Sequence, residues 1–454
     1  MKTNTLTQGN IFRTLFLFSL PMIVSSTVSI LFHFADVAIL ALLVEGPAVA
    51  AVGACGSLIT LMTSLFLGFA TGASVLISRK VGAGDEEGTL KAVGTSLTVG
   101  LLSGIILMVA AEIFARRLLI WMNCQPDVLD MATLYMRIYF LGMPILMLQN
   151  FVSGVLRSSG DSVRPMFFLI LSGAVNVVAN IFFVTVCHMT VEGVAIATVM
   201  SSALSLVLAL IRLRNTKGIC RVEAKYLRIY KEELGEIIRI GIPTCFCSLF
   251  FYMANVILAS KVNSMSTDAM TANAISGQFD GVIYTVGSAI ASAASIMVAQ
   301  NYGARQADRI RKIIKVGNLY VTGVSIFLGV GFVLMAEPLL GMLSGDAGLI
   351  ALAKDRMTFL CLTYFVTSIM EVFAFSLRSM RKQKSTMVVG GVCGFGIRCA
   401  WAWFVWPLHP TLSMLFASYT VSAFAAVVIY IFVYRSTMKE CSERWEGIPQ
   451  PEHF

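Results

Sequence analysis

Charge is scarce in this chain. Asp, Glu, Lys and Arg make up 13% of its 454 residues against 57% hydrophobic residues, and the mean hydropathy is +0.81. A water-soluble protein of this length cannot hide so much apolar surface, so the soluble classes are excluded and lipid is the expected solvent. Histidine is scarcer still, at His33, His188, His409 and His453, and no HExxH, P-loop or paired-cysteine motif occurs. No catalytic constellation is left to build, so neither an enzyme nor a resident cofactor is expected. Without a phosphate-binding loop, direct ATP drive is not expected either. The ten cysteines stand singly, apart from Cys245 and Cys247, and show no metal-ligand spacing; they read as small core residues. No cleavable leader is expected, because MKTNTLTQGNIFR runs into a hydrophobic stretch too long for a signal peptide.

What the chain has instead is long apolar runs. The first, Leu15–Leu43, is long enough at ~1.5 Å per residue to cross a ~30 Å hydrocarbon core with length to spare. Pro21 removes a backbone N–H near its start, so a kink is expected there. Asp36 puts a carboxylate well inside it, where an unpaired charge is costly and points to function. Twelve spans are expected in all, near 15–43, 50–77, 93–115, 133–156, 166–186, 191–211, 240–260, 272–298, 316–336, 357–376, 387–406 and 412–434. Small residues recur in them, as in GFATGAS and GSAIASAAS, which suits close packing of helices in lipid.

With the N-terminus inside, nearly all of the 34 Lys and Arg fall on the inner side, Lys2 and Lys217 among them. Only Arg116, Arg117, Lys261, Lys354 and Arg356 fall outside, and Arg137 and Arg398 lie within spans. The positive-inside rule therefore places both termini in the cytoplasm. The net charge of +9 is explained by topology and calls for no nucleic-acid partner. The chain also repeats at a spacing of about 221 residues. ASVLISRKVGAG at 73–84 matches ASIMVAQNYGAR at 294–305, LRS at 156–158 matches LRS at 377–379, and Pro21 matches Pro243 one residue out of step. Each half holds an even number of spans, so both insert the same way round. The expectation is an all-α polytopic membrane protein of two six-helix bundles related by a pseudo-two-fold axis along the membrane normal. Its parts are an N-terminal bundle over 1–211, a basic cytoplasmic linker over 212–239, a C-terminal bundle over 240–436 and a cytoplasmic tail over 437–454.

Depth singles out a polar layer. Asp36 on span 1, Asn176 and Asn180 on span 5, and Thr198 on span 6 sit at a similar level, ~10 Å below the outer boundary. The i, i+4 spacing puts both asparagines on one helix face. A carboxylate among amide and hydroxyl oxygens suits a proton or a small hard cation. The plainer alternative is that the Asn and Thr side chains only hydrogen-bond neighbouring helices. His33, one turn before Asp36, is either a second proton-binding group or a histidine bonded within a helix interface. In the second half, Asp280, Glu371 and Arg398 lie within spans 8, 10 and 11. Glu371 is a candidate cation ligand. Asp280 fits either neutralisation of a neighbouring arginine or a cavity lining. Arg398 is expected to pair with one of these acids, since an isolated guanidinium at that depth is unstable; a purely structural ion pair is the alternative. Trp401, Trp403 and Trp406 read as an interfacial belt.

These motifs together resemble the multidrug and toxic compound extrusion (MATE) transporters, in their bacterial DinF/NorM-like form, over residues 13–435. The resemblance is carried by SLPMIVSS followed by the acid of HFADVAIL, by ATGASVLISRKVGAGDEE, VLRSSGDSVRP, NVVANIFFV with VEGVAIATVMS, and QNYGA in the second half. It implies two bundles around a V-shaped cavity and export of amphipathic, often cationic drugs by alternating access in exchange for H⁺ or Na⁺. It also implies that protonation of Asp36 bends span 1 at Pro21, with Asn176 and Thr198 as its polar partners. One position departs from the family pattern, in which Asn-x-x-x-Asp usually stands on span 5; here the second residue is Asn180. Losing that carboxylate removes charge that would hold Na⁺, so proton coupling is preferred. The expected setting is a bacterial inner membrane, with lipids around a monomer and small drug-like molecules as substrates. The alternative weighed is a flippase for a lipid-linked amphiphile, which would require a lateral basic groove. The 24 methionines and 30 phenylalanines suit a varied apolar ligand, although most must face lipid or helix cores.

Overall fold

The computed structural model describes residues 6–44, 48–122, 124–216 and 218–446. Lys2, Lys217 and residues 447–454 of the expected tail lie outside the described residues. No strand occurs among the described residues. In chain order the helices are α1 (Ile11–Leu43), α2 (Ala48–Gly82), α3 (Glu86–Trp121), α4 (Pro126–Leu141), α5 (Met143–Ser158), α6 (Val163–Thr185) and α7 (Val191–Arg214). Then come α8 (Lys231–Asn263), α9 (Thr267–Gly303), α10 (Ala307–Leu334), the short α11 (Ala336–Gly341), α12 (Ala347–Ser379), α13 (Gln383–Val389), α14 (Arg398–Ala400) and α15 (Leu412–Trp445).

Eleven helical segments are long and apolar enough to cross a membrane, and a twelfth is the pair α4–α5, bent by 48°. The fourth span, expected over 133–156, corresponds to this broken pair. It breaks because Gly142 ends α4 and Pro144, in the first turn of α5, lacks a backbone donor. Helix α1, by contrast, remains one helix through Pro21. The eleventh span, Gln383–Leu408, alternates: α13 passes into a π-helix over Gly390–Ile397, α14 supplies one α turn, and a second π-helix covers Trp401–Val405. Helix α8 begins at Lys231 and so takes up the end of the expected linker, whose remainder carries one 3-10 turn at Ala224–Tyr226. Helix α15 runs to Trp445, so the first part of the expected tail is helical.

The described chain forms two compact units. Unit 1 is Val24–Cys245, and unit 2 is Leu6–Ile23 with the chain from Phe246 onward. Both divisions fall inside a helix, two residues beyond Pro21 in α1 and two beyond Pro243 in α8. Each unit therefore contains the opening half of the helix that the sequence assigns to the other.

In unit 1 the borrowed half of α8 lies in a groove that glycines keep open. A Cβ on Gly68 would collide with Cys245, and one on Gly72 would lie 2.8 Å from the Ile237 carbonyl oxygen. The end of α2 and the start of α8 are joined by ion pairs: Lys80 Nζ lies 2.8 Å from Glu233 Oε1, and Arg79 Nη1 lies 3.7 Å from Glu236 Oε2. In unit 2 the borrowed segment is held through its backbone, to which Arg309 donates at the Gln8 and Gly9 carbonyls. Leu6 N–H donates to Gln300 Oε1 at 3.0 Å, and Asn301 Nδ2 donates to the Leu6 carbonyl at 3.2 Å. Leu15, Phe18 and Met22 are buried there with residues of α9 and α10, including Ala294, Met297 and Ile314.

The repeat is written in detail. Ser158 Oγ donates to the Ser74 carbonyl at 2.9 Å in unit 1, and Ser379 Oγ donates to the Ser295 carbonyl at 2.9 Å in unit 2. The two strongest sequence anchors thus touch one another in each half. Helices α2, α5, α9 and α12 all end with a residue in the left-handed region. These are Gly84 (φ 69°), Gly160 (φ 91°), Arg305 (φ 57°) and Arg381 (φ 65°). Each is followed by an N–H that returns to a carbonyl five residues back, from Asp85 to Lys80, Asp161 to Leu156, Gln306 to Asn301 and Lys382 to Leu377.

Candidate functional site

The expected polar layer assembles inside unit 1. Gly173 on α6 is buried, and the ring of Phe32 on α1 fills the place a Cβ there would need. That approach brings the next turn of α1 onto the next turns of α6. Asn180 Nδ2 donates to Asp36 Oδ1 at 2.5 Å and also lies 3.3 Å from Asn176 Oδ1. Asn176 Nδ2 in turn makes a long contact of 3.5 Å with Thr198 Oγ1 on α7. Thr198 donates to the Val194 carbonyl of its own helix at 2.9 Å. Both asparagines are buried, whereas Asp36 and Thr198 are half-buried. Asp36 is therefore the reachable end of a chain of polar groups anchored in the helix interface.

The donor balance of this chain is uneven. The buried Asn180 Oδ1 has no hydrogen-bond partner. A buried amide oxygen left unmatched costs about 1–3 kcal/mol, so the cluster has room for one further donor or cation. Tyr135 and Tyr139 on α4, with ring centroids 6.0 Å apart, lie within electrostatic reach of Asp36. Sequence reasoning passed over them, although their i, i+4 spacing in LYMRIYF was a usable signal. His33 is exposed on α1 and takes no part in the Asp36–Asn180–Asn176 chain.

In unit 2 the expected pairings change. Asp280 Oδ1 lies 2.9 Å from Arg356 Nη1, which also donates to Ser276 Oγ at 3.0 Å. Of its two expected roles, Asp280 takes the neutralising one. Arg356, expected just ahead of the span at 357–376, lies within α12, which begins at Ala347, and is buried in the bundle at 4% exposed. Arg398 was expected to pair with an acid and does not. Its Nε donates to Ser422 Oγ at 3.1 Å, and its guanidinium lies over the Tyr419 ring, 3.9 Å from the centroid. Glu371 lies within electrostatic reach of the Ser288 and Tyr284 side chains. Of the expected tryptophan belt, Trp401 and Trp406 turn their indole N–H groups to the Met414 and Thr411 carbonyls, and only Trp403 is strongly exposed.

No group of three or more metal-binding side chains occurs among the described residues. Twelve apolar segments in two matched halves, with polar groups buried inside each, define a polytopic membrane protein. The family model MatE matches residues 21–182 and again 243–404, once in each half. The chain belongs to that family, the bacterial MATE transporters. It is similar to the probable multidrug resistance protein YoeA of Bacillus subtilis (strain 168), 28% identical over 72% of this chain and 73% of that one. It is also similar to the multidrug export protein MepA of Staphylococcus saprophyticus, 21% identical over 78% of this chain and 79% of that one. Among solved structures, a MATE protein in a straight conformation matches with a TM-score of 0.90 at 19% identity, covering 98% of this chain and 99% of that one. A mutant of the Vibrio cholerae MATE transporter VcmN matches with a TM-score of 0.88 at 15% identity, covering 95% and 97%. These likenesses establish the fold, twelve spans in two repeated halves.

Proposed function

We propose that this chain is a secondary antiporter that exports amphipathic, cationic small molecules by alternating access in an inner membrane. In this reading both termini face the cytoplasm, and inward movement of H⁺ at Asp36 drives the cycle. The observation that carries the reading is the Asp36–Asn180–Asn176 chain, with its single carboxylate and its unmatched Asn180 oxygen. Proton binding cancels the one negative charge and creates a donor. With that donor, the amide of Asn180 gains by turning its oxygen rather than its NH₂ toward α1. The preferred geometry between α1 and α6 thus depends on occupancy, which is what a coupled transporter requires of its ion site. One elementary charge crossing the full field is worth ~2.3 kcal/mol per 100 mV, enough to bias the cycle. Multidrug export by the named relatives supports the substrate class. The lipid-flipping alternative is not favoured, since the arginines within spans are each engaged locally, Arg137 with Glu112, Arg356 with Asp280, and Arg398 with Ser422 and the Tyr419 ring.

The test is dye efflux in inverted vesicles with pH and Na⁺ gradients imposed separately. Wild type is expected to respond to the pH gradient, and Asp36→Asn to insert normally yet lose gradient-driven export. Export driven by Na⁺ alone would overturn the proton assignment, and normal export by Asp36→Asn would overturn the mechanism.

A further inference from the structure

Unit 2 contains a buried cation that no acid accompanies. Arg398 is 2% exposed, and its Nη1 is buried without a hydrogen-bond partner. The titratable groups within electrostatic reach of it are the phenols of Tyr284 on α9, Tyr364 on α12 and Tyr419 on α15, and none is an acid that could cancel its charge. Of the acids of α9 and α12, Asp280 is held by Arg356, and Glu371 lies within electrostatic reach of Ser288 and Tyr284 rather than of Arg398. Tyr419 on α15 spends its hydroxyl proton on Asn255 Oδ1 of α8 at 2.6 Å. What remains is two aromatic faces, Tyr419 at 3.9 Å and Phe251 at 5.4 Å, and the Ser422 hydroxyl. Ring faces attract a guanidinium but carry no charge to cancel it. A buried, uncompensated ion in a membrane protein is costly enough that it is paired or functional.

The backbone around Arg398 is also unusual. It opens the single α turn between two π-helical stretches, and such stretches cluster at functional sites. A Cβ added at Gly394, one turn earlier and on the side toward which a helical arginine leans, would meet nothing within 4 Å. Arg398 thus combines a buried, unmatched donor with faces clamped by rings, beside a stretch of helix at Gly394 that nothing crowds. We propose that Arg398 anchors an anion-binding site in unit 2 for a single negative charge of small size, a halide ion or a carboxylate group. The planar guanidinium supplies directional donors, and Ser422 and the two rings fix its orientation.

The test uses the purified full-length protein in detergent at constant ionic strength, with gluconate exchanged for chloride, formate or acetate. Wild type is expected to gain thermal stability saturably as the small anion replaces gluconate. Arg398→Gln is expected to lose that dependence while being no less stable than wild type in gluconate, because it removes an unpaired charge. A response to chloride alone assigns an inorganic anion, and a response to formate or acetate as well assigns a carboxylate; either supports the site. Should Arg398→Gln fail to fold, Arg398→Lys keeps the charge and is expected to raise the half-saturating concentration about tenfold or more. A wild type indifferent to the anion, or a dependence retained in the variants, overturns the proposal. So does an Arg398→Gln protein that folds but is less stable in every salt, which would mark Arg398 as structural.

Discussion

Gly173→Ala probes the polar layer of unit 1 without touching it. Three ring carbons of Phe32, Cε2, Cδ2 and Cζ, occupy the space where the new methyl would sit. Non-bonded carbons settle at about 3.5–4.0 Å, so the ring or its helix must retreat by more than about 1 Å. A retreat of about 1.5 Å transmitted one turn along α1 stretches the 2.5 Å contact between Asn180 and Asp36 to about 4 Å, beyond hydrogen-bond range. Overpacking of this kind costs about 1–3 kcal/mol. The expected phenotype is a protein that inserts, unfolds at lower temperature and loses at least about tenfold in proton-driven efflux, a loss worth about 1.4 kcal/mol. Phe32→Ala in the same chain removes the obstacle and is expected to restore much of the coupling, with an interaction energy of about 1–3 kcal/mol in a double-mutant cycle of stability. Wild-type efflux and stability in Gly173→Ala would refute this account. So would a folded double variant as uncoupled as Gly173→Ala alone.

Two further outcomes follow from the repeat. Arg381→Gly relaxes a side chain held at φ 65° and is expected to stabilise the protein by about 1 kcal/mol, whereas Gly160→Ala at φ 91° is expected to destabilise it by a similar amount; thermal unfolding measures both. Lys80→Met strips the partner from Glu233, whose side chain is only 7% exposed, and is expected to cost about 2 kcal/mol, between the surface and fully buried limits. Lys80→Met with Glu233→Met is expected to recover most of that loss in the same assay.

The twelve spans were legible because lipid tolerates few polar groups, so hydropathy marks each crossing directly. The repeat was legible because its anchors are constrained by contact: Ser74 with Ser158 and Ser295 with Ser379 share one geometry. Counting residues from the ends of parallel helices was enough to place Asp36, Asn176, Asn180 and Thr198 in one layer. What the counting missed depends on which way a side chain faces. His33 lies one turn from Asp36 and is nonetheless exposed. Arg398 turned toward rings and a serine rather than an acid, a choice made by packing that spacing does not record. The break at Gly142 was hidden because its neighbours are apolar on both sides, and hydropathy is blind to a bend. Arg356 was counted ahead of its span because α12 starts ten residues earlier than its apolar run suggests.

The exchange of opening halves between α1 and α8 bears on how this chain can be made. During synthesis the first six spans emerge with an empty slot along Gly68 and Gly72, and it stays empty until Lys231–Cys245 has left the ribosome. Severing the polypeptide between α7 and α8 would leave two fragments, each missing a piece the other carries. Neither fragment is a natural folding unit, so maturation must await the seventh crossing.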